Sequence, residues 1–166
     1  GPGGVRAAVG LGIGGLGGMF SFMFEGPIGE ILAPLSSTQQ ALNLAVQQKD
    51  MGKMRDLLDS GEVDPGQLSE SGVGPVHVAC RYNNRDALEL LLSRGVPVDS
   101  EDRQGNTPLH YAARAGNLAL TQFLTSAGAA PAKRNHHGHT PYDVSTNLEL
   151  SQFLMPLQLR AEGDQA

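Results

Sequence analysis

The sequence predicts an all-α solenoid of about four helix-pair units with hairpin-like loops, preceded by a Gly-rich hydrophobic N-terminal segment. Two observations carry this. One is a 33-residue interval shared by different residue types: Pro75, Pro108 and Pro141; Gly72, Gly105 and Gly138; Gly95 and Gly128; His77 and His110. Independent positions that keep one interval of this length mark a stacked array rather than a single globule. The other is the pattern inside each interval, where apolar residues recur at three and four in paired runs and a glycine closes the pair.

The whole-chain properties agree with one domain and an appendage. The chain has 166 residues, no Trp, few aromatics and many glycines, so small aliphatic side chains must fill its core. A net charge of −5 argues against general nucleic-acid affinity. Cys80 is the single cysteine, so no intrachain disulfide forms, and its place in an apolar helical run makes it a buried thiol rather than a nucleophile. The chain does not begin with Met, which fits either a removed leader or an added Gly1-Pro2.

Residues 1–33 differ from the rest of the chain. Ala7 to Phe24 contains no charged side chain. Eighteen uncharged residues are at the short end for a membrane-spanning helix, and Gly10, Gly14 and Gly18 repeat at four, the spacing that lets helices approach closely in lipid. In water so many glycines make a poor helix, at roughly 1 kcal/mol each against Ala. The segment therefore reads as a membrane or complex anchor presenting Leu11, Ile13, Leu16, Met19, Phe20, Phe22, Met23 and Phe24. A flexible arm and a remnant of a targeting peptide are the other readings.

Gly26-Pro27 breaks the segment, and Ser36-Ser37-Thr38 reads as a helix N-cap cluster. Two helices come next around a Lys49-Asp50 turn, the second carrying Met51, Met54, Leu57 and Leu58 and closed by Gly61. Residues 62–73 are a loop. Pro75 opens the next pair, which turns at Asn83-Asn84 and ends at Gly95. Pro108 opens the third pair, with Thr107 placed to cap it through its hydroxyl and Gly105 supplying the turn before the cap. Pro141 opens a fourth, shortened pair, in which Asp143 can close a capping box on Thr140. Residues 34–158 thus form the repeat domain, and 159–166 a frayed tail.

Asp102, Gly105, Thr107, Pro108, Leu109 and His110, followed by Ala112-Ala113, Gly116, Leu124 and Gly128-Ala129, resemble the ankyrin repeat. Residues 69–96 match more loosely, with Gly74 in the place of the capping Thr. Residues 134–157 keep Gly138, Thr140 and Pro141 but carry Asp143 where the motif has His. The resemblance spans about residues 36–158 and is strongest at 69–145. It implies inner helices packed through small Ala112 and Ala113, His77 and His110 tying neighbouring loops, and end units with polar outer faces.

Ankyrin-like arrays bind proteins, and in the family the contacts come from hairpin tips and the outward side of each first helix. Carried over by position, the partner-binding residues are Arg81, Tyr82, Arg103, Gln104, Asn106, Arg114, Arg134, His136, His137 and His139, with Glu70, Ser71, Val73, Glu101, Ala115, Asn147 and Leu148 beside them. Four arginines on the face of an acidic chain suggest that it receives an acidic protein segment. His136-His137-x-His139 alternates around a turn with no thiolate nearby, so a metal site is not expected. No enzyme signature, cofactor motif or small-molecule site appears. A Gly12–Gly17 match to a dinucleotide loop follows no strand and is set aside. The functional expectation is a non-enzymatic adaptor or scaffold, tethered by residues 7–24 as an accessory subunit of an organellar membrane complex in chloroplast or mitochondrion. The alternative is a soluble, cytoplasmic adaptor or a chaperone-like targeting factor with a flexible N-terminal arm. Chloroplast sorting factors with ankyrin-like repeats are its analogue.

Overall fold

The computed structural model of the chain describes residues 36–164. The chain partitions between Ser36 and Ser37, and the helical array is the second unit. The anchor residues expected between Leu11 and Phe24 lie outside the described residues.

Seven helices and no strand occur among the described residues: α1 (Ser37–Gln48), α2 (Met51–Ser60), α3 (Pro75–Arg81), α4 (Arg85–Ser93), α5 (Pro108–Arg114), α6 (Leu118–Ser126) and α7 (Leu148–Asp164). Each first helix packs on the next, α1 on α3 and α3 on α5, while α2 packs on α4. No described helix is long and apolar enough to cross a membrane.

One continuous core runs through the stack from Leu42 and Met54 by way of Leu88, Leu91 and Leu109 to Leu120 and Leu124, all fully or almost fully buried. Removing such a side chain from water contributes about 1.5–3 kcal/mol each. A smaller cluster of Ala113, Leu150 and Leu154 joins α5 to α7. Cys80 is completely buried, and burial pushes its thiol far above the usual range. The cysteine is therefore a core residue.

The second helices share a capping device that the sequence reading leaves unassigned, and Asn147, expected beside the partner-binding residues, is part of it. Asp50, Asn84, Asn117 and Asn147 each accept a hydrogen bond from a backbone N–H three residues on. Asn84 Nδ2 also donates to the Val46 carbonyl at 2.9 Å, and Asn147 Nδ2 to the Gly116 carbonyl at 3.0 Å. These two asparagines therefore cap their own helix and clip it to the preceding unit. An Asp, which has no N–H, supplies only the first function.

Helices α3 and α5 are opened by His, with a tautomer that the geometry determines. His77 Nδ1 accepts from the Gly74 N–H at 3.0 Å, and His110 Nδ1 accepts from the Thr107 N–H at 3.1 Å. A backbone N–H can only donate, so Nδ1 carries no proton and Nε2–H is the donor. Nε2 of His77 donates to the Ser100 carbonyl at 2.8 Å, and that of His110 to the His139 carbonyl at 2.9 Å. Each ring thus ties its own cap to the next loop. The Thr107 hydroxyl lies 2.9 Å from the same His110 Nδ1, so its proton is directed to the ring. Thr140 and Asp143 make the expected box: Thr140 N–H to Asp143 Oδ2 at 2.8 Å, and Asp143 N–H to Thr140 Oγ1 at 3.3 Å.

The C-terminal unit departs from the sequence expectation. Its first helix is a single turn after Thr140, with the Val144 N–H bonded to the Thr140 carbonyl at 3.2 Å. Its second helix is not abbreviated: α7 has 17 residues, continues through Pro156 and reaches Asp164, where a frayed tail was expected. Side chains hold the later turns. Thr140 Oγ1 donates to Gln158 at 2.8 Å, and Arg134 pairs with Glu162 at 3.2 Å. Nor is the outward side of this unit wholly polar. Leu148, Met155 and Leu159, spaced to share one stripe, are 72%, 45% and 62% exposed.

Candidate partner-binding face

The loops between units are laced tip to tip. The Arg103 N–H donates to the Ser71 carbonyl at 3.0 Å, and the His136 N–H to the Gln104 carbonyl at 2.8 Å. Within the third loop, Asp102 Oδ1 accepts from the backbone N–H groups of Gln104 and Asn106, both at 2.9 Å. Asn135, 33 residues later, does the same for His137 and His139. The motif acid and its amide counterpart thereby hold each tip in one shape, with its neighbouring side chains turned outward.

Asn106 is not among those outward side chains. It is 3% exposed, and its amide bridges Asp102 and Asn135, accepting from Asn135 Nδ2 at 2.9 Å. It is a tie between loops, and its expected place on the free surface is corrected. Arg103 and Gln104 are exposed.

Arg81 and Arg114 occupy equivalent positions at the ends of α3 and α5, 33 residues apart. With Arg103, Gln104 and Glu70 they line an open cavity of about 560 Å³. Tyr111 stands between the two helix-end arginines, which share a smaller recess of about 220 Å³ with it. The Tyr111 hydroxyl donates to Asp102 Oδ2 at 2.7 Å. Burial, then the Asp102 hydrogen bond and charge, push the Tyr111 hydroxyl well above its usual range. For Asp102, partial burial acts upward, but the bonds from Tyr111, Asn106 and Gln104 outweigh it and hold the carboxyl below its ordinary value.

Charge in this cavity is therefore divided between three guanidiniums and the carboxylates of Glu70 and Asp102. Both Asp102 oxygens already accept internal hydrogen bonds. The ion pairs seen among the described residues are Arg94–Asp59, Lys133–Glu101 and Arg134–Glu162, none of which involves Arg81, Arg103 or Arg114. Arg134, by contrast, is held by Glu162 and by the Gly138 carbonyl.

A second cavity, of about 620 Å³, adjoins the first along the α1–α3 seam. Leu44, Val73, Val78 and Tyr82 line it, and Arg81 and Tyr111 border both spaces. Leu44 and Tyr82 are 44% and 39% exposed. Asn43, on its α1 wall, has a buried Oδ1 with no hydrogen-bond partner among the described residues. Sequence reading places Tyr82 on this face but misses Leu44, Val78 and Tyr111. The 33-residue interval pairs Val78 with Tyr111, and that equivalence was the available signal.

His136, His137 and His139 are exposed on the fourth loop and border neither cavity. The His137 and His139 rings have centroids 6.4 Å apart. No group of three or more His, Cys, Asp or Glu among the described residues is arranged to hold a metal.

A family model described as ankyrin repeats (3 copies) matches residues 42–141, more than half of the chain. The chain belongs to the ankyrin-repeat family. Its array is 34% identical over 61 residues to an ankyrin repeat protein of fowlpox virus (strain NVSL), covering 37% of this chain and 15% of that protein. It is 40% identical over 48 residues to an ankyrin repeat-containing protein of Schizosaccharomyces pombe, covering 29% of this chain and 23% of that one. The matches thus span less than a quarter of either relative. Ankyrin repeats are protein–protein interaction modules without catalytic machinery of their own, and Arg81, Arg103 and Arg114 lie on the side of the array formed by the first helices and loop tips.

Proposed function

We propose that this ankyrin array is a non-enzymatic adaptor whose inner face receives an acidic segment of a protein partner. The observation that supports it is the convergence of Arg81, Arg103 and Arg114, none engaged in an ion pair among the described residues, around one open cavity. Guanidinium forks bind carboxylates bidentately and shed water more readily than ammonium groups. Arg134 and the three histidines contribute at the edge of the same surface rather than at its centre. Reversing Arg103 and Arg114 together (R103E/R114E) is expected to weaken binding of the native partner roughly 10- to 100-fold and to flatten its salt dependence. Both side chains are exposed, so the fold survives the change. Unchanged affinity and unchanged salt slope overturn the reading.

The uncharged run from Ala7 to Phe24 supports a second part of the proposal, that the array is tethered to a membrane or an organellar membrane complex. The full chain is then expected to resist carbonate extraction. Full release into the supernatant favours the soluble adaptor or targeting factor.

A further inference from the structure

The apolar cavity beside the arginines specifies more about the partner than its charge. We infer that the segment bound on this face runs in an extended polyproline II conformation and pairs an apolar side chain with a carboxylate about three residues away, the first seated between α1 and α3 and the second on Arg81 and Arg114. The inference rests on the acidic-segment reading and deepens it.

Three observations carry it. Leu44 and Tyr82 leave large apolar surfaces exposed, and they do so across one seam, with Val78 at its base. Isolated exposed apolar residues are ordinary, but several lining one concavity mark a place where another apolar group gains by leaving water. Arg81 borders both this cavity and the basic one, so no barrier of the array's own separates them. Finally, the stack sets a ruler. Packed helices lie about 8–10 Å apart, and a polyproline II chain advances about 3.1 Å per residue with three residues per turn, so positions i and i+3 share one face. A peptide that moves from the α1–α3 seam to the α3–α5 seam therefore advances by about three residues. The requirement is for apolar-x-x-acid, or the same pair in the reverse chain direction. An acidic run without the apolar residue leaves Leu44 and Tyr82 uncovered, and an apolar residue alone leaves the guanidiniums unpaired.

The test is selection of displayed random twelve-residue peptides on the full chain. Enriched peptides are then synthesised and titrated against the wild type, Leu44→Glu and Arg81→Glu/Arg114→Glu. All three positions are exposed, and thermal melting verifies that each variant is folded. The expected result is enrichment of an apolar residue two to four positions from Asp or Glu, with each variant weakening binding about tenfold or more. Acid-rich peptides that respond to the arginine variant but not to Leu44→Glu overturn this inference and leave the acidic-segment reading standing. Peptides that respond to Leu44→Glu alone overturn both. So do peptides indifferent to every variant, or a selection that enriches nothing.

Discussion

Replacing Gly72 by alanine is expected to cost about 3 kcal/mol, from a left-handed backbone plus a steric clash. Gly72 has φ +77°, which disfavours any residue with a Cβ. That cost alone is about 1–2 kcal/mol. At Gly72 a Cβ would also lie 2.6 Å from the Arg103 backbone nitrogen and 2.9 Å from Asp102 Cα. These are backbone atoms fixed by the Arg103–Ser71 hydrogen bond and by the four bonds on Asp102, so they cannot turn aside as a side chain would. Gly95 is the internal control. It too has positive φ, +90°, but nothing lies within 4 Å of its Cβ position. Gly95→Ala should therefore cost only the conformational part, and urea denaturation of the two variants should separate them clearly. Equal midpoints would show that the loops are not packed as closely as described. Gly72→Ala should also weaken partner binding, because Glu70, Ser71 and Arg103 around the same contact line the basic cavity.

The contrast between Gly72 and Gly95 shows what was legible in the sequence. Both glycines are visible as repeated positions, since the period alone exposes them. That one sits against its neighbour's backbone and the other in open space depends on how units stack, and a period carries no such distance. Asn106 shows the same limit from the other side. A position between motif residues reads as free, yet this one faces Asn135 across the seam and is consumed there. In the sequence Leu44 and Val78 are simply members of apolar helical runs. Which side of a short helix is left uncovered depends on the neighbouring helix, and α1 and α3 leave theirs to one cavity. The extent of α7 was hidden for a third reason. Pro156 argues locally against a helix, but Leu157 to Glu162 are good helix formers, and the bonds from Arg134 and Gln158 to Glu162 hold the turns beyond the proline.

Stability should be level between about pH 7 and 8 and fall as pH drops below about 6.5, with a slope of at most about 2.7 kcal/mol per pH unit, the limit for two protons. The source is His77 and His110. Burial is the principal cause that holds both below their ordinary value of 6.5, against the opposing pull of their carbonyl bonds and of Asp102. Arg114 adds to the lowering at His110, where Asp102 and Asp99 oppose it, and His77 lies against the Tyr111 ring at 5.1 Å. Above 6.5 the histidines are neutral in both folded and unfolded chains, so their contribution is complete. Below it the unfolded chain takes up protons that the folded one refuses, and stability is lost as pH falls toward the folded values. The geometry explains the refusal: a proton on Nδ1 would face the N–H that Nδ1 now accepts. His110→Gln should halve the slope while costing about 2 kcal/mol at neutral pH through lost hydrogen bonds. A wild-type slope that survives in His110→Gln would locate the titration elsewhere. The fourth unit behaves differently by construction. There Asp143 accepts the Thr140 N–H, and that bond holds its carboxyl below the ordinary 3.8. Its contribution is present above that value and is lost only as pH falls through the folded one. Mild acid should thus loosen the caps of α3 and α5 while the Thr140–Asp143 turn persists. Amide exchange at pH 5 should show the Gly74 and Thr107 N–H groups less protected than that of Thr140.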